Sequence, residues 1–375
     1  MLRRATALLA ACALLAGCSA PTVEPSPTPT AGQPTATLGL PTTTPTSATS
    51  PAASTPTPAS PTASAGASST APPASAYVLV EYPVPTGSHP HDVAPAPDGT
   101  VWYTGQGNGT LGRLDPATGE VGEFALGPGS RPHGVIVAPD GAAWVTDSGR
   151  NEIQRVDPVS GAITRYALPG RNVNLNTAAI DAGGVVWFTG QAGFYGRVDP
   201  ATGQVDVFDA PRGPGPYGID ATPAGEIWFV SLAGSYLARV DLTSGEATEH
   251  LPPTTGAGTR RVWSDSTGRL WVSEWTAGQL AMFDPTTGGW REWPLPGEDA
   301  RAYSVFVDDA DLVWLTDFGA NSIVRFDPVT EAFESFAIPS ADAQIRQQLG
   351  RPGEVWGAES ATDKLVVVRL VGATP

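Results

Sequence analysis

Cysteine is nearly absent. The chain holds two, Cys12 and Cys18, both near its N-terminus. No pair is left for a disulfide in the body of the chain, and no thiolate nucleophile or Cys-based metal site can be built there. Lysine occurs once, at Lys364, so a Schiff base or a lysine general base is not expected. Histidine is limited to His89, His91, His133 and His250. Positive charge is scarce, with a formal net charge of −16. Arg3, Arg4 and Glu24 precede residue 77, which leaves 19 basic against 36 acidic residues, or −17, on Tyr77–Pro375. That surface argues against nucleic acid or anionic lipid as a partner. The sequence has no glycine-rich phosphate loop, no G-x-S-x-G elbow and no helical His/Glu zinc spacing.

Residues 1–17 read as a signal peptide: Arg3 and Arg4, then an apolar run from Ala5 to Ala16. The run is shorter than the roughly 20 residues of a membrane-spanning helix. Leu15-Ala16-Gly17-Cys18 resembles a bacterial lipobox, which implies cleavage before Cys18 and lipidation of its thiol. An ordinary secretory signal with a chance cysteine is the alternative. Residues 18–76 are almost wholly Pro, Thr, Ser, Ala and Gly, too poor in apolar groups to offset the entropy of ordering. They read as a disordered tether, with lipid at Cys18 as the only membrane contact. The expected location is extracytoplasmic, lipid-anchored to the bacterial cell membrane, and the expected state is a monomer.

Residues 77–375 are built from one motif. Trp102, Trp144, Trp187, Trp228, Trp271, Trp314 and Trp356 recur at intervals of 41 to 43 residues, the period of propeller blades. In the second copy an apolar strand from Gly134 meets an Asp140-Gly141 turn, then the Trp144 strand. A third strand near Ile153 follows, then an Asp157-Pro158 turn and a fourth strand to Leu168. Two-residue turns and period-2 strands give an antiparallel four-stranded blade. The last copy lacks a fourth strand, and Tyr77–Val84 is a spare strand ahead of the first. The predicted fold is all-β, a seven-bladed β-propeller closed by its N-terminal strand. The tryptophans are expected to pack between blades.

The stretch Pro132–Asp147, PHGVIVAPDGAAWVTD, followed by Ile153–Asp157 and a strand ending in Leu168-Pro169, resembles the virginiamycin B (streptogramin) lyase family. The resemblance spans Tyr77–Pro375. It implies a seven-bladed propeller that opens a cyclic depsipeptide by elimination at its ester, helped by magnesium.

Function should sit where the copies differ. Strand direction brings the start of strand one and the end of strand two to one face, at the mouth of the central channel. Eleven residues before each Trp the chain reads His91, His133, Asn176, Tyr217, Arg260, Tyr303 and Ile345. Three after each Trp it reads Gly105, Asp147, Gly190, Ser231, Glu274, Asp317 and Glu359. Mixed polar residues converging on a mouth suggest a ligand site; a solvated lining is the bland alternative.

By position, the resemblance puts the elimination on His91, His133 and Asp147, and magnesium on Asp147 and Glu359. The family pattern has Glu where this chain has Asp147. Asn176, Tyr217, Arg260, Glu274, Tyr303, Asp317 and Glu359 are expected to contact substrate. Arg260 and Arg261 face either an ion-pair cluster with Glu274 and Asp317 or a polar ligand. His89 is a third histidine near the mouth, and His250 is expected at the surface. Asp308, Asp309 and Asp311 read as a solvated turn rather than a calcium site. The alternative function is a non-catalytic surface propeller that binds a peptide, glycan or cell-wall fragment; a lactonase-type hydrolase is more remote.

Overall fold

A computed structural model describes residues 77–371; the signal peptide, Cys18 and the tether lie outside them. Among the described residues there are 28 strands, in seven four-stranded antiparallel sheets. Six sheets use four consecutive strands each. They are blade 1 (90–125), blade 2 (132–167), blade 3 (175–209), blade 4 (216–250), blade 5 (259–294) and blade 6 (302–337). Blade 7 takes three strands from residues 345–370 and its outer strand from Tyr77–Pro83. That strand runs in register from Tyr77 against Leu370 to Pro83 against Lys364. The N-terminal strand thus gives blade 7 the same four strands as the other blades and covers the strand that ends at Leu370.

Burial follows strand order. The second strand of every blade is buried throughout, while the outer strands show the mixed pattern of a half-solvated surface. The seven repeat tryptophans are buried in these second strands. In five blades an acidic residue accepts the indole N–H: Asp181 from Trp187, Glu226 from Trp228, Asp265 from Trp271, Asp308 from Trp314 and Glu354 from Trp356. Asp308 is therefore a tryptophan cap. Asp311 accepts from Ser266 of the preceding blade, so the acidic turn works as a structural one.

Two features of strand one aim the mouth. Each first strand breaks register near its start, as a bulge does when it re-aims a side chain. The hydroxyl two residues after the Trp then ties that start to the neighbouring blade. Thr104 Oγ1 accepts from Asp92 N–H and donates to the His133 carbonyl at 2.9 Å. Ser273 Oγ does the same between Arg261 N–H and the Tyr303 carbonyl at 2.8 Å. Thr146 and Thr189 repeat the pattern towards the carbonyls of Asn176 and Tyr217. His133, Asn176, Tyr217 and Tyr303 are thus fixed by their own bulges and by the blade before them.

Candidate functional site

The bulges carry His91, His133, Asn176, Tyr217, Arg260 and Tyr303, six of the residues expected at the mouth. The seventh expectation, Ile345, needs correction. In six blades the Trp pairs with the residue eight positions earlier, such as Ala94 with Trp102; in blade 7 Leu349 pairs with Trp356, seven earlier. The hairpin is one residue shorter, so Arg346 takes the mouth position. Ile345 is buried in the apolar core.

At the centre His91 and His133 lie with ring centroids 3.8 Å apart. His91 Nδ1 is 2.8 Å from Asp92 Oδ1. Burial holds the His91 imidazole well below its ordinary pKa, and Arg346, Arg261 and Arg260 lower it further. The contact is geometrically an ion pair, but a neutral ring donating Nδ1–H to the carboxylate describes it better. That tautomer leaves the Nε2 lone pair free. Asp92 is raised by burial, against which the Arg261 guanidinium, 3.2 Å away, favours the charged form. His133 is lowered by burial and then by His91. Its Nδ1 has no partner, and Asn176 Nδ2 lies 3.5 Å from its Nε2. Gly218 leaves room for this centre, because a Cβ there would come within 2.6 Å of Arg261 Cα.

The other half of the mouth is arginine and tyrosine. Arg260 Nη2 donates to the Tyr217 hydroxyl at 2.8 Å, and that hydroxyl lies 2.8 Å from Tyr303's. The Arg260 guanidinium sits 3.7 Å over the Tyr303 ring and 4.8 Å over Trp275. Burial alone would raise the Tyr303 phenol, but Arg260, Arg261 and Arg346 outweigh it and bring it down to about 8. Above these groups a cavity of about 620 Å³ is lined by His91, His133, Tyr217, Arg131, Arg260 and Arg346 among others. A second cavity of about 340 Å³ lies by the Asp-Gly turns; its walls are largely apolar around Asp220 and Trp263. Its polar lining is limited to Thr177, Asp181, Asp220 and Gln347, with no histidine or arginine, so the mouth is the better candidate.

The second expected ring does not join this site. Asp147 accepts from Ser130 Oγ, Arg131 N–H, Gly149 N–H, Arg150 N–H and Gln154 Nε2. Both its oxygens are occupied in capping a loop, which corrects the catalytic and metal roles expected of it. Asp317 makes the same cap with Arg301 and Gly319 N–H. Glu274 accepts from Gln279, and Glu359 from Thr362. None of the four lines the cavity over the histidines. The proposed cluster of Arg260 and Arg261 with Glu274 and Asp317 does not form; Arg261 pairs with Asp92 and Arg260 with the tyrosines. His89 sits in the rim loop with Nδ1 3.1 Å from the Ser360 carbonyl. His250 is half-buried against Trp228 and Phe283 in an outer strand.

Magnesium does not fit these residues. Among the described residues, the group closest to a ligand set is His91, Asp92 and His133, with ligand atoms within 4.8 Å of one another. Magnesium prefers near-octahedral oxygen. Here two nitrogens join one carboxylate already shared with Arg261, and further guanidiniums surround it.

The match to known proteins follows the geometry. The model of the virginiamycin B lyase family matches residues 78–368. The chain belongs to the virginiamycin B lyase family. No curated protein matches it in sequence. A streptogramin B lyase structure is 25% identical, with TM-score 0.73, covering 78% of this chain and 98% of that one. A catalytically inactive histidine-to-alanine virginiamycin B lyase from Staphylococcus aureus, with quinupristin, is 23% identical, with TM-score 0.72, covering 78% and 99%. YCF48 bound to a peptide is 16% identical, with TM-score 0.63, covering 81% and 99%. The last two likenesses show the fold alone.

The mouth is marked by an Asp92-oriented histidine and by several arginines. Asp92, Arg131 and Arg346 were not singled out by the sequence; Arg261 was, but opposite Glu274 and Asp317 and not Asp92. The His91-Asp92 dipeptide was the available signal, since the corresponding pair in blade 2 is His133-Gly134.

Proposed function

We propose that this propeller, tethered outside the cytoplasm by lipid at Cys18, is a lyase-like enzyme that opens an ester in a peptide-like substrate by elimination without a metal. The observation that carries this reading is the His91–Asp92 pair: a buried, neutral imidazole with Nδ1 held at 2.8 Å and Nε2 free. Nε2 takes the proton from a carbon next to a carbonyl. The electron pair left behind forms a carbon–carbon double bond as the β carbon–oxygen bond breaks. The ester oxygen leaves on a carboxylate, and Arg260 and Arg346 stabilise the charge that develops. His133 packs on His91 and lines the same pocket.

The test is incubation with cyclic depsipeptides and acylated serine esters, neutral and acidic, followed by mass spectrometry. Elimination leaves the mass of a ring-opened product unchanged, whereas hydrolysis adds one water. His91→Ala should abolish the product with the fold intact, and a chelator should have no effect. Water-added products, or none with any ester, would overturn this reading. The wide polar mouth favours a second one, a binding propeller: titration would then show binding sensitive to Tyr217, Arg260 and Tyr303 without turnover.

A further inference from the structure

The arginines divide into two groups. Those at positions 113, 150, 155, 165, 171, 197, 212, 239, 261, 269, 291, 325, 351 and 369 each have a carboxylate within 4.0 Å. Among the described residues Arg131, Arg260, Arg301 and Arg346 have none. These four gather on one face. Arg131, Arg260 and Arg346 line the mouth cavity, and Arg301 shares the Trp275 ring with Arg260.

A domain of charge −17 has carboxylates to spare, yet it leaves these guanidiniums unmatched. The neighbouring acidic residues are turned away: Asp147 and Asp317 cap loops through the N–H groups of Arg131 and Arg301. Arg260 and Arg346 are half-buried, and Arg260 Nε is buried without a partner. Like charges held together in a partly desolvated site repel one another. A planar guanidinium matches carboxylate or phosphate oxygens in a bidentate fork.

We propose that the mouth recognises a ligand bearing at least two oxyanion groups, carboxylate or phosphate, which complete the unmatched arginines. This rests on the mouth being the ligand site, and it holds whether or not the elimination occurs there. One group would sit between Arg260 and Arg346, over Tyr217 and Tyr303. The second would reach Arg131 across His91 and His133. A neutral depsipeptide would leave those arginines uncompensated and bind poorly.

The experiment is calorimetric titration of the propeller with the dipeptide Glu-Glu, its neutral analogue Gln-Gln, and pyrophosphate, at low and high salt. The expected result is binding of at least one anionic probe, with Gln-Gln weaker by about tenfold or more and affinity falling as salt rises. Preference for Glu-Glu or for pyrophosphate would tell carboxylate from phosphate. Arg346→Gln should weaken the anion by about tenfold while the melting temperature holds or rises, because a repelled charge has gone. Arg239→Gln, on the surface and paired with Glu226, should change nothing. Equal binding of Gln-Gln, no binding of any anion, or unchanged affinity in Arg346→Gln would overturn the proposal. The titration reads binding and not bond breaking, so its failure is separate from failure of the elimination.

Discussion

His91 and His133 occupy equivalent positions, but only His91 has a carboxylate to fix its tautomer. Asp92→Asn should therefore cost turnover, and it should also lower the melting temperature, because the buried Arg261 guanidinium loses its carboxylate partner. An amide can donate to Nδ1 and trap the wrong tautomer, a loss of about 10²- to 10⁴-fold in kcat. The pH profile gives an independent check. Burial lowers both imidazoles well below their ordinary pKa. The base should stay neutral, and kcat/KM should stay flat, as pH falls through 6.5. Rate loss centred near 6.5 would mean that an exposed histidine does the work. At this scale the sequence was partly legible. Equal spacing from the Trp located six mouth residues and failed at Arg346, because a hairpin one residue shorter cannot be seen without strand pairing. Asp147 misled for a different reason. Its position shares the face of the mouth, but three backbone N–H groups claim its Oδ1 and the Ser130 and Gln154 side chains claim its Oδ2.

The blade is tuned at the hydroxyl two residues after the Trp. Thr146 Oγ1 serves the Gly134 N–H and the Asn176 carbonyl of the next blade at once. Thr146→Val keeps the shape and leaves both buried partners unsatisfied, a cost of about 1–3 kcal/mol. A fall in the urea midpoint with an unchanged slope is the expected result. The same change should loosen the Asn176 backbone and shift ligand affinity. The corresponding residues in blades 4 and 7 are Val230 and Ala358, so a propeller can form without every hydroxyl. No change in midpoint would mean that the hydroxyls follow the blade spacing and do not set it. The Trp-x-Thr repeat was visible in the sequence as a recurrence. Its role was not, since the partner carbonyl lies about 30 residues away, across a blade boundary.

The whole ring depends on a pairing between the two ends of the propeller. Its seven-blade architecture was legible because period, turn chemistry and the unmatched Tyr77–Val84 strand agreed, and each reports a local requirement of the blade. Closure is the long-range step. Seven residues pair Tyr77–Pro83 with Lys364–Leu370, and Lys364 adds an ion pair to Glu81 that also reaches Ser340. Tyr77 packs edge-on against Trp314 and Phe336 of blade 6 at 5.4 and 5.9 Å, so the same strand stitches blade 7 to its neighbour. A chain starting after Pro83 keeps every mouth residue but exposes the row of backbone groups from Lys364 to Leu370. An open edge of this kind pairs with other chains. The truncated protein should melt lower and elute earlier than the intact chain in size-exclusion chromatography, while a peptide of residues 77–83 supplied in trans should restore the elution of the intact chain. If the truncated chain elutes like the intact one with an unchanged melting temperature, packing between blades alone holds the ring, and the N-terminal strand only covers an edge that was already harmless.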